Sequence, residues 1–209
     1  MLLYYITDRA QFPGSERERR ERLLAKIAEA ARCGVDYVQL REKNLAAREL
    51  EALARKAMET IRASGRRTRL LINSRTDVAL AAGADGVHLR SKDVSPEDVR
   101  KIWQLAKGPK DLILAVSCHT GTEVAAAEKA AADFVVFGPI FGKQDGPESR
   151  PAGLDLLRAV SRSRIPVFAL GGVTPENAAL CADAGAEGVA GIRLFQESSV
   201  TAIVARLRS

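Results

Sequence analysis

Cysteine and histidine are scarce in this chain, which has three cysteines and two histidines among its 209 residues. Cys33, Cys118 and Cys181 lie far apart, are odd in number and form no Cys-x-x-Cys pair. A disulfide framework and a cysteine-based zinc site are therefore excluded. Cys118 directly precedes His119, but neighbouring residues on an extended segment point in opposite directions, so we do not expect a histidine-activated thiolate nucleophile.

Long hydrophobic runs are missing as well. No apolar stretch approaches the roughly 20 residues that span a membrane, and Met1 leads directly into the strand-like segment Leu2–Ile6. The sequence predicts no signal peptide, no anchor and no membrane partner, and a cytoplasmic location. Hydrophobic residues make up 46% and charged residues 28% of the chain, which is typical of a soluble protein, and we expect one domain over residues 1–209.

Aromatic residues are few, at 5%, although the formal net charge is +6. The most basic runs, Arg17–Arg22 and Arg62–Arg69, contain no aromatic residue, and Glu18 and Glu21 interrupt the first. This pattern predicts solvated helix faces and no nucleic-acid partner. A mild positive charge favours phosphorylated small molecules as ligands.

What the chain does have is a regular alternation of short apolar runs and helical patterns. The runs are Leu2–Ile6, Tyr37–Leu40, Leu70–Ile72, Gly86–Leu89, Leu112–Val116, Phe134–Phe137, Pro166–Leu170 and Gly188–Gly191. Short continuous runs of this kind are typical of parallel strands covered on both faces. The phrase Ala-Gly-Ala-Asp/Glu-Gly-Val occurs at 82–87 and again at 184–189, as expected for copies of one helix-to-strand connection. We therefore predict an α/β fold, a single-domain (β/α)8 TIM barrel, ahead of an open doubly wound sheet.

Two glycine clusters follow the last two predicted strands. Gly171 and Gly172 end the run that begins at Ile165, and Thr174 with Pro175 predicts a helix that starts at once. Gly191 ends the next run. Backbone N–H groups beside a helix N-terminus bind anions, and the last two strand ends of a barrel can share one phosphate. The alternative is that both clusters are tight turns.

Polar side chains follow the other predicted strands, where the active sites of barrels lie. They are Gln39, Arg41, Lys43, Asn73, Asp93, Ser117, His119 and Lys143. Arg41 and Lys43 alternate around Glu42 and so project to one side, which suits a diphosphate or carboxylate, unless they pair with Glu42 or a loop acid. The irregular stretch from Gly142 to Pro151, which contains Lys143, predicts a mobile loop on the same face.

Three of the titratable residues have competing interpretations. Asp93 is a candidate ligand of a divalent cation, but a lone carboxylate after a strand is more often an N-cap or an ion-pair partner. His88 lies in an alternating run and is interpreted as a buried, hydrogen-bonded imidazole. His119 is the candidate for proton transfer because it leaves a strand and enters a helix, with capping of that helix as the alternative.

Six segments, in order along nearly the whole chain, resemble the thiamine phosphate synthase family, which also contains the related thiazole tautomerases. The segments are Val38-Gln-Leu-Arg-Glu-Lys43, Leu71-Ile-Asn-Ser-Arg75, Ala82–Leu89 with Asp93, Val116-Ser-Cys-His-Thr120, Phe137-Gly-Pro-Ile-Phe141 and Ala169–Asn177. The resemblance implies a (β/α)8 barrel that binds a thiazole phosphate and, in the synthase, hydroxymethylpyrimidine diphosphate with Mg²⁺. Pyrophosphate leaves, and the thiazole nitrogen captures the pyrimidinyl-methyl cation.

The resemblance also implies roles for individual residues. Gln39, Arg41, Lys43 and Asn73 would face the pyrimidine diphosphate, Asp93 the metal and Ser117 the departing pyrophosphate, while Gly171, Gly172 and Gly191 would hold the thiazole phosphate. Lys43 and Ser117 would be catalytic in the synthase. In the tautomerase, which aromatises a thiazole carboxylate phosphate without a metal, the catalytic acid/base would be His119.

The chain departs from the synthase pattern at three places. Ser74 stands where the pattern has Asp, Arg193 stands where it has Ser, and the loop after Phe141 lacks the expected Thr residues, with Lys143 in a shifted position. Synthase, tautomerase and a non-catalytic thiazole phosphate-binding protein therefore all stay open, with the synthase first on overall match. The sequence is compatible with a homo-oligomer.

Overall fold

Eight parallel strands close into a barrel in chain order in the computed structural model, which describes residues 1–142 and 151–208. The strands are β1 Leu2–Ile6, β2 Tyr37–Leu40, β3 Arg69–Asn73, β4 Gly86–Leu89, β5 Ile113–Cys118, β6 Phe134–Phe137, β7 Val167–Leu170 and β8 Gly188–Gly191. The predicted (β/α)8 barrel is confirmed. The predicted end of β5 at Val116 is wrong, because the pairing with β6 continues through Ser117 and Cys118.

Helices connect the strands around the outside of the barrel. They are α1 Glu16–Arg32, α2 Ala47–Ala63, α3 Thr76–Ala82, α4 Pro96–Leu105, α5 Gly121–Lys129, α6 Gly153–Val160, α7 Ala178–Asp183, α8 Arg193–Gln196 and α9 Val200–Arg208, with a 3-10 turn at Arg9–Gln11. Within the described residues, none of these helices is both long enough and apolar enough to cross a bilayer.

Local signals place some of the helix ends. The Ser95 hydroxyl accepts the N–H of Asp98 and Pro96 opens α4, as the sequence predicts. The predicted start of α7 at Thr174 and Pro175 is wrong. Asn177 Oδ1 accepts the N–H of Thr174 at 2.8 Å, which stabilises a separate turn there, and α7 begins only at Ala178.

Side chains alternate between the two faces of the barrel wall, and each face has its own core. Leu3 and Tyr5 point outward and pack beneath the helices, whereas Tyr4 points inward and packs with Phe134 and Phe168. The ring centroids of Phe134 and Phe168 are 4.7 Å apart. The barrel interior is therefore filled with side chains. The space available to ligands is the mouth of the barrel, at the carboxyl ends of the strands.

The seam between β1 and β8 closes the barrel. Their register runs from Leu2 opposite Gly188 to Tyr5 opposite Gly191. Above the seam, the side-chain oxygen of Gln196 accepts the Tyr5 hydroxyl proton at 3.0 Å and the Asp8 N–H at 2.8 Å. One amide thus joins the first strand to the last part of the chain.

Candidate functional site

Two amide side chains face each other at the mouth, at the ends of β2 and β3. Gln39 Nε2 donates to Asn73 Oδ1 at 3.0 Å, and Asn73 Nδ2 donates to the Ser74 hydroxyl at 3.2 Å. Each amide nitrogen carries two N–H groups, so each retains one that no described residue accepts. The pair can therefore offer two preoriented donors to a ligand in the mouth.

Asp93 is held by two neighbours. Its Oδ2 accepts the Ser74 hydroxyl at 2.6 Å, and its Oδ1 accepts Nε and an Nη of Arg90 at 3.0 and 2.8 Å. Partial burial alone raises the pKa of Asp93, but the bonds from Arg90 and Ser74 outweigh it and lower that pKa overall. Asp93 is thus an ion-pair partner of Arg90, which is one of the alternatives that the sequence offered.

The residues around Asp93 can supply only some of the ligands that Mg²⁺ needs. Mg²⁺ is usually bound through one or two carboxylates together with substrate phosphates and waters. Asp93 supplies one carboxylate and Ser74, with a left-handed backbone at φ 58°, supplies a hydroxyl beside it. Neither here nor elsewhere in residues 1–142 and 151–208 is a group of three acidic, histidine or cysteine side chains arranged for a metal. An ion here would need most of its ligands from a bound diphosphate.

Glu42 pairs with a residue that the sequence pattern did not single out. Arg9 Nη1 donates to Glu42 Oε2 at 2.9 Å, with 5% and 1% of the two side chains exposed. The Thr7 hydroxyl donates to Glu42 Oε1 at 2.6 Å and accepts the Arg41 N–H at 3.0 Å. The expected alternative, a bond between Glu42 and Arg41, is therefore not the observed pairing. Glu42 instead fixes the backbone that carries Arg41 and Lys43.

Ser117 sits at the end of a buried chain of hydrogen bonds. Its hydroxyl lies 2.7 Å from His88 Nε2, and His88 Nδ1 lies 2.9 Å from the Tyr4 hydroxyl. Burial lowers the pKa of His88 to about 3, with a smaller contribution from the positive charge of Arg41, so the imidazole is neutral at pH 7. The interpretation of His88 as a buried, hydrogen-bonded imidazole is confirmed.

His119 lies exposed at the rim of the mouth. Its Nδ1 is 2.6 Å from the backbone oxygen of Gly138, and a carbonyl can only accept, so in the neutral ring the proton is on Nδ1. Nε2 then carries the lone pair and faces no described partner. The N-cap of α5 is Thr120, whose side chain accepts the N–H of Glu123, so the alternative that the His119 side chain caps this helix is wrong.

Cys118 points away from the mouth. It belongs to the outward-facing core and is 0% exposed, and burial followed by the charge of Glu123 raises the pKa of its thiol to about 12. The expectation that Cys118 does not act as a nucleophile agrees with both observations.

The glycines after β7 allow two loops to touch. Phe141 N–H donates to Gly171 O at 2.9 Å, which extends the pairing of β6 and β7 beyond the strands. With φ of +95° and +68°, a Cβ on Gly171 would lie 2.5 Å from Cβ of Pro139, and one on Gly172 would lie 2.7 Å from the oxygen of Phe141. The close approach of the two loops is therefore enough to explain why both positions are glycine, as the tight-turn alternative predicts. It is also compatible with a phosphate, because no described backbone oxygen accepts the N–H of either residue.

Helix dipoles add little at these glycines. Helix α7 has six residues and starts well after Gly172, and α8 has four, beginning with Arg193. The expected helix start beside Gly172 is thus replaced by a turn, and an anion there would depend on individual amides. Lys143 lies outside the described residues.

Comparison with known proteins identifies the family of this chain. A family model described as thiamine monophosphate synthase matches residues 3–195. A thiamine-phosphate synthase of Roseiflexus sp. strain RS-1 is 39% identical over 192 residues, covering 90% of this chain and 75% of that protein. One from Moorella thermoacetica is 39% identical over 178 residues, covering 84% and 81%.

A solved structure of a similar protein also matches this chain. The thiamine phosphate pyrophosphorylase of Pyrococcus furiosus superposes with a TM-score of 0.82 at 30% identity, covering 99% of this chain and 93% of that one. The chain belongs to the thiamine monophosphate synthase family.

Proposed function

We propose that this protein is a thiamine phosphate synthase, a transferase of thiamine biosynthesis that joins a thiazole phosphate to hydroxymethylpyrimidine diphosphate and releases pyrophosphate. Family membership supports the reaction class. The observation that carries the proposal is that cationic, amide and hydroxyl groups end β2, β3 and β5 at the same mouth as the glycine loops of β6 and β7. One mouth can therefore receive two phosphorylated ligands.

The pyrimidine diphosphate would occupy the side of the mouth built by β2 to β5. Arg41 and Lys43 supply positive charge, and Gln39 and Asn73 supply one remaining N–H each. The buried pair of Arg9 and Glu42 holds the backbone on which both cations stand. Ser117 approaches from the floor of the mouth and would contact the pyrophosphate as it leaves.

The thiazole phosphate would occupy the opposite side, against Gly171, Gly172 and Gly191. Bare amides bind phosphate oxygens through N–H donors, and a side chain at either of the first two positions would collide with the neighbouring loop. Lys143, next to this loop in sequence, is proposed as a further phosphate ligand.

The bond-forming step requires no acid or base from the protein. The carbon–oxygen bond breaks with its electron pair going to pyrophosphate, and the thiazole nitrogen then donates its lone pair to the resulting carbocation. What the chain must supply is orientation and compensation of the developing negative charge. Mg²⁺, when held by Asp93 with the Ser74 hydroxyl beside it, would supply part of that compensation.

The decisive experiment is turnover. The protein is incubated with thiazole phosphate and hydroxymethylpyrimidine diphosphate, with and without Mg²⁺, and thiamine phosphate and pyrophosphate are quantified. We expect product in the presence of Mg²⁺ and a large loss of kcat/KM in Arg41→Ala. Absence of product at high enzyme concentration would rule out the synthase.

A thiazole tautomerase is the second candidate, and one observation favours it. The contact of His119 Nδ1 with Gly138 O leaves Nε2 as an oriented proton acceptor at the exposed rim, which the synthase reaction does not need. If the protein is a tautomerase, His119→Ala abolishes isomerisation of thiazole carboxylate phosphate and leaves phosphate affinity near normal. Binding of thiazole phosphate with neither product formed would instead identify a non-catalytic binding protein.

A further inference from the structure

Tyr4, His88 and Ser117 form a continuous hydrogen-bonded row from the middle of the barrel to its mouth. The two distances are 2.9 Å and 2.7 Å, and Tyr4 and His88 are 0% and 2% exposed. The bond-forming step above uses Ser117 but assigns nothing to the two residues beneath it. A barrel floor needs only apolar side chains to be stable, so a buried polar row at this place calls for a reason.

The row has only two possible directions of donation. A neutral imidazole carries one N–H, so either Tyr4 donates to Nδ1 and Nε2–H donates to Ser117, or every bond runs the opposite way. In the reverse arrangement the Tyr4 hydroxyl receives the Nδ1 proton and must place its own proton elsewhere. Among the described residues no other acceptor contacts this hydroxyl, and the Tyr4 ring packs against the rings of Tyr37, Phe134 and Phe168.

The forward direction is therefore the stable one, because the reverse direction leaves a buried donor unsatisfied. With Tyr4 donating, His88 is fixed as the Nε2–H tautomer and the oxygen of Ser117 receives a proton from below. The hydroxyl proton of Ser117 is then directed to the mouth. Phosphate oxygens are acceptors, so a serine in this state is matched to a diphosphate or pyrophosphate.

We propose that Tyr4 and His88 are positioning residues that hold the Ser117 hydroxyl as a hydrogen-bond donor toward the departing pyrophosphate. The proposal rests on the proposed function for the identity of the anion. His88 does not act as a general base for Ser117, because its Nε2 already bears the proton and its Nδ1 lone pair accepts from Tyr4.

Nitrogen NMR tests the direction of the row without any substrate. The chain contains two histidines, so in protein labelled with ¹⁵N-histidine the His119→Ala variant leaves the signals of His88 alone. We expect a protonated Nε2 and an unprotonated, hydrogen-bonded Nδ1 at pH 7. The Nδ1–H tautomer, or an even mixture of the two, overturns the proposal.

Calorimetry with inorganic pyrophosphate, in the presence of Mg²⁺, tests the consequence at Ser117. We expect Ser117→Ala to weaken binding by about tenfold, as for one hydrogen bond to a charged group. Tyr4→Phe should weaken it by about twofold, because about half of the molecules would still hold Ser117 as a donor, and the double variant should be no weaker than Ser117→Ala. Tyr4→Phe should also turn His88 from one tautomer into a mixture, which a purely structural role would not do. Additive losses in the double variant overturn the proposal.

A matched pair at His88 separates donation from packing. His88→Gln places an amide N–H near the position of Nε2 and should retain most of the pyrophosphate affinity, whereas His88→Leu should lose it to the extent of Ser117→Ala. Equal losses in the two variants overturn the proposal, provided that urea unfolding shows both to be folded. If the wild-type protein binds pyrophosphate but forms no thiamine phosphate, the proposed function fails while the tautomer and the affinity cycle still decide the role of Tyr4 and His88.

Discussion

The two sides of the mouth are built from different materials. The polar half, at the ends of β1 to β5, consists of side chains that hold one another, such as Glu42 with Arg9 and Ser74 with Asp93. The glycine half, at the ends of β6 to β8, is shaped by backbone, with Gly171 and Gly172 against Pro139 and Phe141. The first achieves rigidity by pairing charges and hydroxyls, and the second by leaving no room for side chains. Substitutions should therefore fail for different reasons in the two halves.

The largest expected effect is at the buried ion pair of the polar half. Glu42→Ala removes the buried carboxylate and leaves the buried Arg9 guanidinium with the carboxylate of the partly exposed Glu16 alone, and we expect a loss of about 3 kcal/mol in the free energy of unfolding, measured by urea denaturation. Arg17→Ala breaks an exposed pair with Glu21 and serves as the control, with no measurable change expected. Similar stability of the two variants would contradict the view that the polar half depends on buried pairing.

Gly171→Ala tests the glycine half. The added methyl group would lie 2.5 Å from Cβ of Pro139 at a φ of +95°, and we expect roughly 1–3 kcal/mol of destabilisation with weaker binding of thiazole phosphate. Gly65 also has a positive φ, +66°, but a Cβ there would meet no atom within 4 Å, so Gly65→Ala measures the cost of a left-handed backbone alone, about 1 kcal/mol. Equal losses in the free energy of unfolding for the two variants, with unchanged thiazole phosphate affinity in Gly171→Ala, would show that close approach of the loops is unimportant.

The pH dependence of stability probes the floor of the polar half. The pKa of His88 falls from 6.5 in the unfolded chain to about 3 in the native state, so the unfolded chain binds the proton first. The stability contributed by the neutral ring is complete above pH 6.5 and is lost as the pH falls below it, by about 1.4 kcal/mol per pH unit. In His88→Gln this contribution to the pH dependence of the free energy of unfolding should be absent. If the wild-type protein and His88→Gln showed the same pH dependence of the free energy of unfolding between pH 4.5 and 6.5, folding would not lower the pKa of His88.

The smallest expected effect is a gain at Ser74. Aspartate tolerates the left-handed backbone at φ 58° better than serine, and Ser74→Asp places a second carboxylate beside Asp93. We expect about tenfold tighter Mg²⁺ binding in the presence of pyrophosphate, measured by calorimetry, because affinity rises with the number of charged ligands. The gain should disappear when Asp93→Asn is added. An unchanged affinity would show that Ser74 does not face the metal.

The barrel itself could be predicted from the sequence, because parallel strands covered on both faces are continuous apolar runs and each run is visible. The polar residues at the mouth could be located for the same reason, since Gln39, Asn73 and Ser117 occur where those runs end. That Cys118 faces outward could not be predicted in this way, because a strand that is apolar on both faces shows no alternation.

The partners of these residues could not be predicted. Arg9 meets Glu42 across 33 residues, which depends on how β1 and β2 pair. Tyr4 of β1 meets His88 of β4 across 84 residues, and this contact crosses the interior of the closed barrel. The start of α7 was wrong for a local reason. The Thr-Pro-Glu sequence predicts a helix N-terminus, whereas in the structure the side chain of Asn177 accepts the Thr174 N–H and stabilises a turn.

The amide of Gln196 has a consequence for synthesis of the chain. It bonds to Tyr5 and Asp8 across separations of 191 and 188 residues, above the seam at which the first strand meets the last. A nascent chain on the ribosome can assemble β1 to β7 as an open sheet but must leave two edges unpaired until β8 emerges. Chaperone binding or premature aggregation during translation should therefore concentrate on those two edges. Both should end once β8 leaves the ribosome and pairs with β1 and β7.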